Sequence, residues 1–209
     1  MSTSMKKLPQ PILPRGIVGR IVAWLMPLGH ESIYKPVSRV LKLQPEDDLL
    51  DVACGAGYFL KRYAHHVKSF AGLDYSEVMV DMAKKKHKKR IAAGTAEIVF
   101  GEASQLPWED NRFSVVTSMG SFMAFPKPLE SLREMHRVLR PGGRAVVSIE
   151  YNAEDGKDRS NYIEKYGMGI WKEDEVRNMM KDAGFVDIYI KYAKAMGIPK
   201  MMLACGIKQ

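Results

Sequence analysis

Asp48-Leu49-Leu50-Asp51-Val52-Ala53-Cys54-Gly55-Ala56-Gly57 is the stretch that decides the fold of this chain. A short apolar run over Asp48 to Ala53 reads as a buried strand, Gly55 to Gly57 turn the backbone, and Tyr58 to His66 follow with a helical pattern. Glycine lets the backbone approach a ligand closely, because no Cβ intrudes. The helix start behind the turn offers free N–H groups and partial positive charge, which suit a carboxylate or a phosphate equally. A tight strand–helix turn with no ligand is the plain alternative.

Working outward, the alternation repeats. Ser69 to Asp74 reads as a second strand, and Ser76 caps a helix running to about Ala92, with Glu77 in its first turn. Glu97 to Phe100 and Phe113 to Ser118 are a third and a fourth strand. A helix over Leu129 to Leu139 is stopped by Pro141-Gly142-Gly143, and Arg144 to Tyr151 is a fifth strand. The tail differs: a helix over Glu173 to Ala183, a strand over Phe185 to Ile190, a turn at Gly197 to Pro199 and an apolar run over Met201 to Cys205. So short a connection predicts an antiparallel hairpin. The whole predicts an α/β fold, doubly wound, whose seven-stranded and mostly parallel sheet has an antiparallel strand near the C-terminus.

Upstream, residues 1–15 read as a flexible arm. Residues 16–44 read as a helical cap made of an amphipathic helix over 16–27, carrying Ile17, Val18, Ile21, Val22 and Leu25, and a second helix over Glu31 to Leu43. Residues 45–209 are the remaining unit. The apolar run Ile17 to Leu28 is interrupted by Arg20, is too short to span a bilayer, and lacks a small-residue cleavage site, so neither a spanning helix nor a signal peptide is expected.

Cys54 and Cys205 lie far apart and form no CxxC pair, so no disulfide framework and no metal site is expected, and a cytoplasmic setting is the simpler reading. The net charge of +8 suggests an anionic partner. Much of the excess sits in Lys84-Lys85-Lys86-His87-Lys88-Lys89-Arg90, which reads as a solvated helix face; without interleaved aromatics it argues against nucleic acid. Weak peripheral membrane contact through the first helix is a further expectation.

In a doubly wound sheet, ligands sit beyond the carboxyl ends of the strands. Asp74 ends the second strand 19 residues after Gly55 and is placed to accept hydrogen bonds from two ribose hydroxyls. The ligand is then a dinucleotide or an adenosyl compound. A dinucleotide fingerprint wants Gly or Ala where this chain has Leu60, which disfavours NAD.

The segments LLDVACGAG, GLDYSEVMVDMA, GEASQLPWEDNRFSVV and REMHRVLRPGGRAVVSIE occur in an order and at spacings that resemble class I S-adenosylmethionine (SAM)-dependent methyltransferases, the broad group that includes the ubiquinone and menaquinone C-methyltransferases. The likeness covers about residues 45–150 and, more loosely, the tail. It implies a Rossmann-like sheet, a SAM cofactor, and an antiparallel strand inserted beside the fifth. It also implies that Asp51 helps hold the amino end of SAM, that the turn Cys54, Gly55, Ala56 and Gly57 passes the methionine part, and that Asp74 takes the ribose. Tyr75, Ser76 and Met79 then flank ribose and adenine. Glu102, standing where the family commonly has Asp, and Ala103 meet the adenine edge. Ser118, Met119 and Gly120 line the pocket near the methyl group.

SAM is already activated, so alignment and exclusion of water carry most of the catalysis, and no catalytic triad is expected. The catalytic residue is unknown from sequence. His30 and Tyr34 in the cap and Phe122, with Phe125, after the fourth strand are the candidate acceptor-binding residues. Residues 152–170 form a polar loop able to act as a lid. The run Ser118-Met119-Gly120-Ser121-Phe122 lacks the Asn/Asp-Pro-Pro-Tyr/Phe motif of many amino-group methylating members. The expectation is a methyltransferase for a small or lipid-like acceptor. The alternatives are an RNA or protein methyltransferase, a non-catalytic SAM-binding module, and an NAD-linked oxidoreductase. Acceptor atom, oligomeric state and pathway are not legible.

Overall fold

The computed structural model describes residues 14–25 and 27–209. The flexible arm expected over 1–15 therefore lies, for residues 1–13, outside the described residues. The elements run α1 (Gly16–Leu25), α2 (Pro27–Leu41), β1 (Asp48–Val52), α3 (Tyr58–Tyr63), β2 (Ser69–Asp74), α4 (Glu77–Ala92), β3 (Ala96–Phe100), β4 (Phe113–Ser118), α5 (Pro128–Val138), β5 (Leu139–Ile149), α6 (Ser160–Tyr166), α7 (Glu173–Asp182), β6 (Val186–Ala195) and β7 (Ile198–Ile207). The seven strands form one sheet in the order β3-β2-β1-β4-β5-β7-β6. Pairings from β3 to β5 are parallel, and β7 lies antiparallel between β5 and β6. The doubly wound sheet and its inserted antiparallel strand are as the sequence predicts.

Every residue of β1 is buried, because both faces of the sheet are covered. Alternation along the strand splits the core. Leu50 and Val52, with Leu73 and Val116, pack on Leu132 and Met135 of α5 and Val176 and Met180 of α7. Leu49, with Phe70 and Val115, faces Val37 and Leu41 of α2, Phe59 and Leu60 of α3, and Val80 and Ala83 of α4. The second helix of the expected cap thus shares a core with the sheet.

Three expectations change. The basic run of α4 is not wholly a solvated face: His87 is buried and its Nε2 donates to the Gly57 carbonyl at 2.8 Å. Arg90 turns inward too, donating to the carbonyls of Ala64, Val67 and Lys68 at 3.2, 2.9 and 2.9 Å. Helical periodicity carries 83, 87 and 90 to the sheet side, leaving Lys84, Lys85, Lys88 and Lys89 exposed. Pro141-Gly142-Gly143 does more than stop a helix. Leu139 already pairs with Phe113, the chain bulges out, and the ladder resumes at Arg144 opposite Val115. Gly142 adopts φ 77° and its N–H donates to the Lys208 carbonyl at 2.7 Å. Finally, residues 152–170 are not all loop, since α6 lies within them.

Candidate active site

The carboxyl ends of β1, β2 and β4 open into one crevice. The backbone after β1 turns sharply: Ala53 takes φ 61° and Gly55 φ 54°. A left-handed alanine costs on the order of 1 kcal/mol and persists only where its surroundings enforce it, which marks functional turns. Here the Cys54 N–H donates to the Leu73 carbonyl at 3.0 Å and the Gly57 N–H to the Cys54 carbonyl at 3.0 Å. His87 grips the Gly57 carbonyl from behind.

Asp74 is the hub. Its Oδ2 accepts from the Gly55 N–H at 2.8 Å and its Oδ1 from the Ser76 N–H at 2.9 Å, so it joins the β1 turn to the start of α4. Burial pushes its carboxyl up to about 6, against the pull of those backbone N–H groups. Asp51 is buried more severely. Its Oδ1 has no hydrogen-bond partner among the described residues. Burial first, and the neighbouring Asp74 charge second, raise it well above the usual carboxylate range. Burial and the charges of Asp51 and Cys54 likewise keep the Tyr34 phenol protonated. Two desolvated carboxylates beside an open space are an environment that a cation would relieve.

The crevice has two lobes that share Ala53, Asp74 and Ser121. The first, about 600 Å³, is walled by Tyr75, Gly101, Glu102, Ala103 and Phe125. The second, about 500 Å³, lies between the β1 turn (Asp51, Cys54, Gly55), Met79, the end of β4 (Met119, Gly120) and His30 and Tyr34 of α2. His30 and Tyr34 face each other with ring centroids 5.9 Å apart. Most of the residues named from sequence therefore meet here.

Five do not line the space. Ala56 packs against Met79 on the helix side, and Gly57 is turned toward His87. Ser76 caps α4: its Oγ accepts from the Met79 N–H at 3.4 Å and donates to the Pro14 carbonyl at 2.5 Å. Ser118 is fully buried within the sheet between β1 and β5. Phe122 begins a 3-10 turn over Phe122–Ala124 that sends its ring into the core, edge-on to Phe125 at 5.7 Å, and Phe125 is the one that reaches the crevice.

Sequence reasoning missed Glu150. It is buried, its Oε1 accepts from the Gly120 N–H at 3.1 Å and from the Ser148 hydroxyl, and it supports the β4 turn from below. Burial raises its carboxyl above the ordinary range. The rule that selected Asp74, an acid where an apolar strand ends, would also have selected Glu150.

A doubly wound sheet with a glycine turn after β1 and a buried acid ending β2 defines a nucleoside-binding α/β protein. The family described as Methyltransferase domain matches residues 50–147. The demethylmenaquinone methyltransferase of Geobacillus kaustophilus is 30% identical over 193 residues, covering 78% of this chain and 80% of that protein. The demethylmenaquinone methyltransferase of Oceanobacillus iheyensis is 36% identical over 124 residues; that match covers 58% of this chain and about half, 51%, of the relative's length. In fold, the chain resembles Haemonchus contortus phosphoethanolamine N-methyltransferase 2 in complex with SAM, with a TM-score of 0.70, 15% identity, and coverage of 83% of this chain and 52% of that one. The chain belongs to the class I SAM-dependent methyltransferase family.

Proposed function

We propose that this chain transfers a methyl group from SAM to a small, quinone-like acceptor. The observation that carries the reading is the pair of buried carboxylates, Asp51 and Asp74, facing one crevice, with an Asp51 oxygen left unpartnered among the described residues. The residues fit a cationic adenosyl donor. Asp74, already oriented by Gly55 and Ser76, would take the ribose hydroxyls, and Asp51 the ammonium end. Tyr75, Glu102 and Ala103 would border the base. SAM supplies an activated methyl on a sulfonium, so the chain's own part is to align the acceptor and to move a proton where the acceptor carries one. His30 stands in the second lobe beside Met119 and Gly120, where an imidazole takes that proton. The Tyr34 hydroxyl stays protonated and offers a hydrogen bond rather than a base.

The quinone-like acceptor is supported by the names of the relatives. In this reading, residues 45–209 hold the donor, residues 16–44 cover the acceptor side, and the setting is the reducing cytoplasm, since Cys54 and Cys205 are both free and buried. Among the described residues no helix is long and apolar enough to cross a membrane. The test is a calorimetric titration with SAM and with S-adenosylhomocysteine, followed by transfer of labelled methyl to a demethylmenaquinone-type acceptor. Saturable binding of both nucleosides and labelled product are expected. A well-folded protein that binds neither overturns the reading, and binding without turnover on any acceptor would favour a non-catalytic SAM-binding module.

A further inference from the structure

We propose that the crevice takes its acceptor from an anionic lipid surface, on which the chain docks through the apolar faces of α1 and α6. The proposal rests on the methyltransferase reading and adds the place where acceptor and protein meet. α1 carries three outward apolar side chains: Ile17 is 79% exposed, Val18 59% and Ile21 57%. Isolated exposed apolar residues are ordinary, but a helical face of them marks an interface. α6 adds two further exposed apolar side chains, Tyr162 and Ile163, the latter 49% exposed.

The chain next to each face reaches the crevice or its wall. Pro14, two residues before α1, lines the second lobe, and its carbonyl accepts from the Ser76 hydroxyl. On the other side Tyr166, in α6, and Met168, just after it, cluster with Met123, Tyr151 and Tyr75, the last a wall of the first lobe. The Gly169 N–H fixes that cover by donating to the Met123 carbonyl at 2.8 Å. An apolar acceptor leaving a lipid surface between α1 and α6 would therefore enter the crevice with little exposure to water.

Charge selects the occupant. Arg20 of α1 pairs with Asp81 of α4 at 3.9 Å, which sets the α1 face beside the exposed lysines 84, 85, 88 and 89. None of those four has an ion-pair partner among the described residues. Apolar side chains flanked by unpaired lysines match the boundary of an anionic bilayer, where acyl chains and acidic headgroups lie a few ångströms apart. A second copy would bring one net charge of +8 against another. A nucleic acid would leave the aliphatic face without a partner, since bases stack on aromatic rings.

The test compares the full chain, an Ile17→Glu/Ile21→Glu variant and a Lys84→Glu/Lys88→Glu variant for co-sedimentation with vesicles of phosphatidylcholine, with or without phosphatidylglycerol. S-adenosylhomocysteine titration accompanies each protein, so that a failure of the donor site is seen separately. The native chain is expected on the anionic vesicles and released by salt. Both variants should lose roughly tenfold or more in partitioning while binding the nucleoside as before. Nucleoside binding without vesicle binding overturns the docking proposal and leaves the methyltransferase reading intact. Equal vesicle binding by the Ile17/Ile21 variant also overturns it. So does concentration-dependent dimerisation of the native chain that the same variant abolishes, or salt-sensitive RNA binding tighter than vesicle binding.

Discussion

The two lobes of the crevice are built from different materials. The wall the two lobes share, and the β2 and β3 side of the first, come from strand ends: Asp74 and the Ala53–Gly55 turn are held by hydrogen bonds with backbone groups of β2 and of the start of α4, inside a core covered on both faces. The far wall of the second lobe comes from helices packed onto that frame, with His30 and Tyr34 contributed by α2 and Pro14 by the approach to α1. In the proposed reading, a nucleoside donor common to a family is met by fixed backbone and carboxylates, and an acceptor that differs between members is met by side chains on added segments, which change without disturbing the sheet.

That contrast breaks if substitutions on the two sides affect donor binding alike. The largest loss should come from Asp74→Ala. It removes the acceptor for two proposed ribose hydroxyls and leaves the Gly55 and Ser76 N–H groups without their partner, so S-adenosylhomocysteine affinity should fall by more than about 100-fold, at roughly 1.5–3 kcal/mol per charged hydrogen bond. Asp51→Asn should cost less than Asp74→Ala, about 10- to 150-fold in affinity, for one such bond rather than two. It should also move stability the other way. Asp51 is buried with an unpartnered oxygen, so removing its charge relieves a desolvation cost, and thermal unfolding at pH 8 should occur at a higher temperature than for the native chain. Weaker binding together with higher stability separates a functional carboxylate from a structural one.

Acidification sharpens the same point more gently. Burial raises the Asp74 carboxyl to about 6 in the folded state, above its unfolded value. Between about pH 4 and 6 the folded protein therefore binds more protons than the unfolded chain, and this group's contribution to stability falls as pH rises through that window. Donor binding should follow the opposite direction, because in the proposed site the ionised form accepts both ribose hydroxyls. Affinity should drop about tenfold from pH 7 to pH 5 while the Asp74 contribution to stability rises, a pair of trends that titration and thermal melts can read on one sample series.

The proposed donor side was legible because its constraints leave marks at fixed spacing. A glycine pair after one strand and an acid after the next are needed wherever backbone must approach a nucleoside, and both sit where the alternation of strands and helices puts them. Much else left no such mark. Ala53 in a left-handed conformation looks like any alanine, since the strain is imposed by the Leu73 and Cys54 contacts around it. His87 and Arg90 sit within a run of lysines, and only helical phase shows that they point inward. Phe122 and Phe125, both candidates from sequence, part ways because a 3-10 turn, which has no strong sequence signal, decides which ring meets the core. α6 was hidden by its polar and glycine-rich surroundings.

His30→Gln should change donor affinity least, by no more than about threefold, because His30 is placed by α2 and makes none of the contacts that fix Asp74 or the β1 turn. Its effect belongs to turnover. A general base contributes about 100-fold or more where the acceptor carries its proton. The kcat of the variant on a hydroxyl acceptor should therefore fall by that order, while an acceptor presented as its anion should react nearly as fast as with the native enzyme. The ratio of the two rates is the informative quantity, since a merely misplaced cover would slow both. A large loss of S-adenosylhomocysteine affinity in His30→Gln would mean that the helical wall also shapes the donor lobe, and the division between backbone-built and side-chain-built halves would not stand.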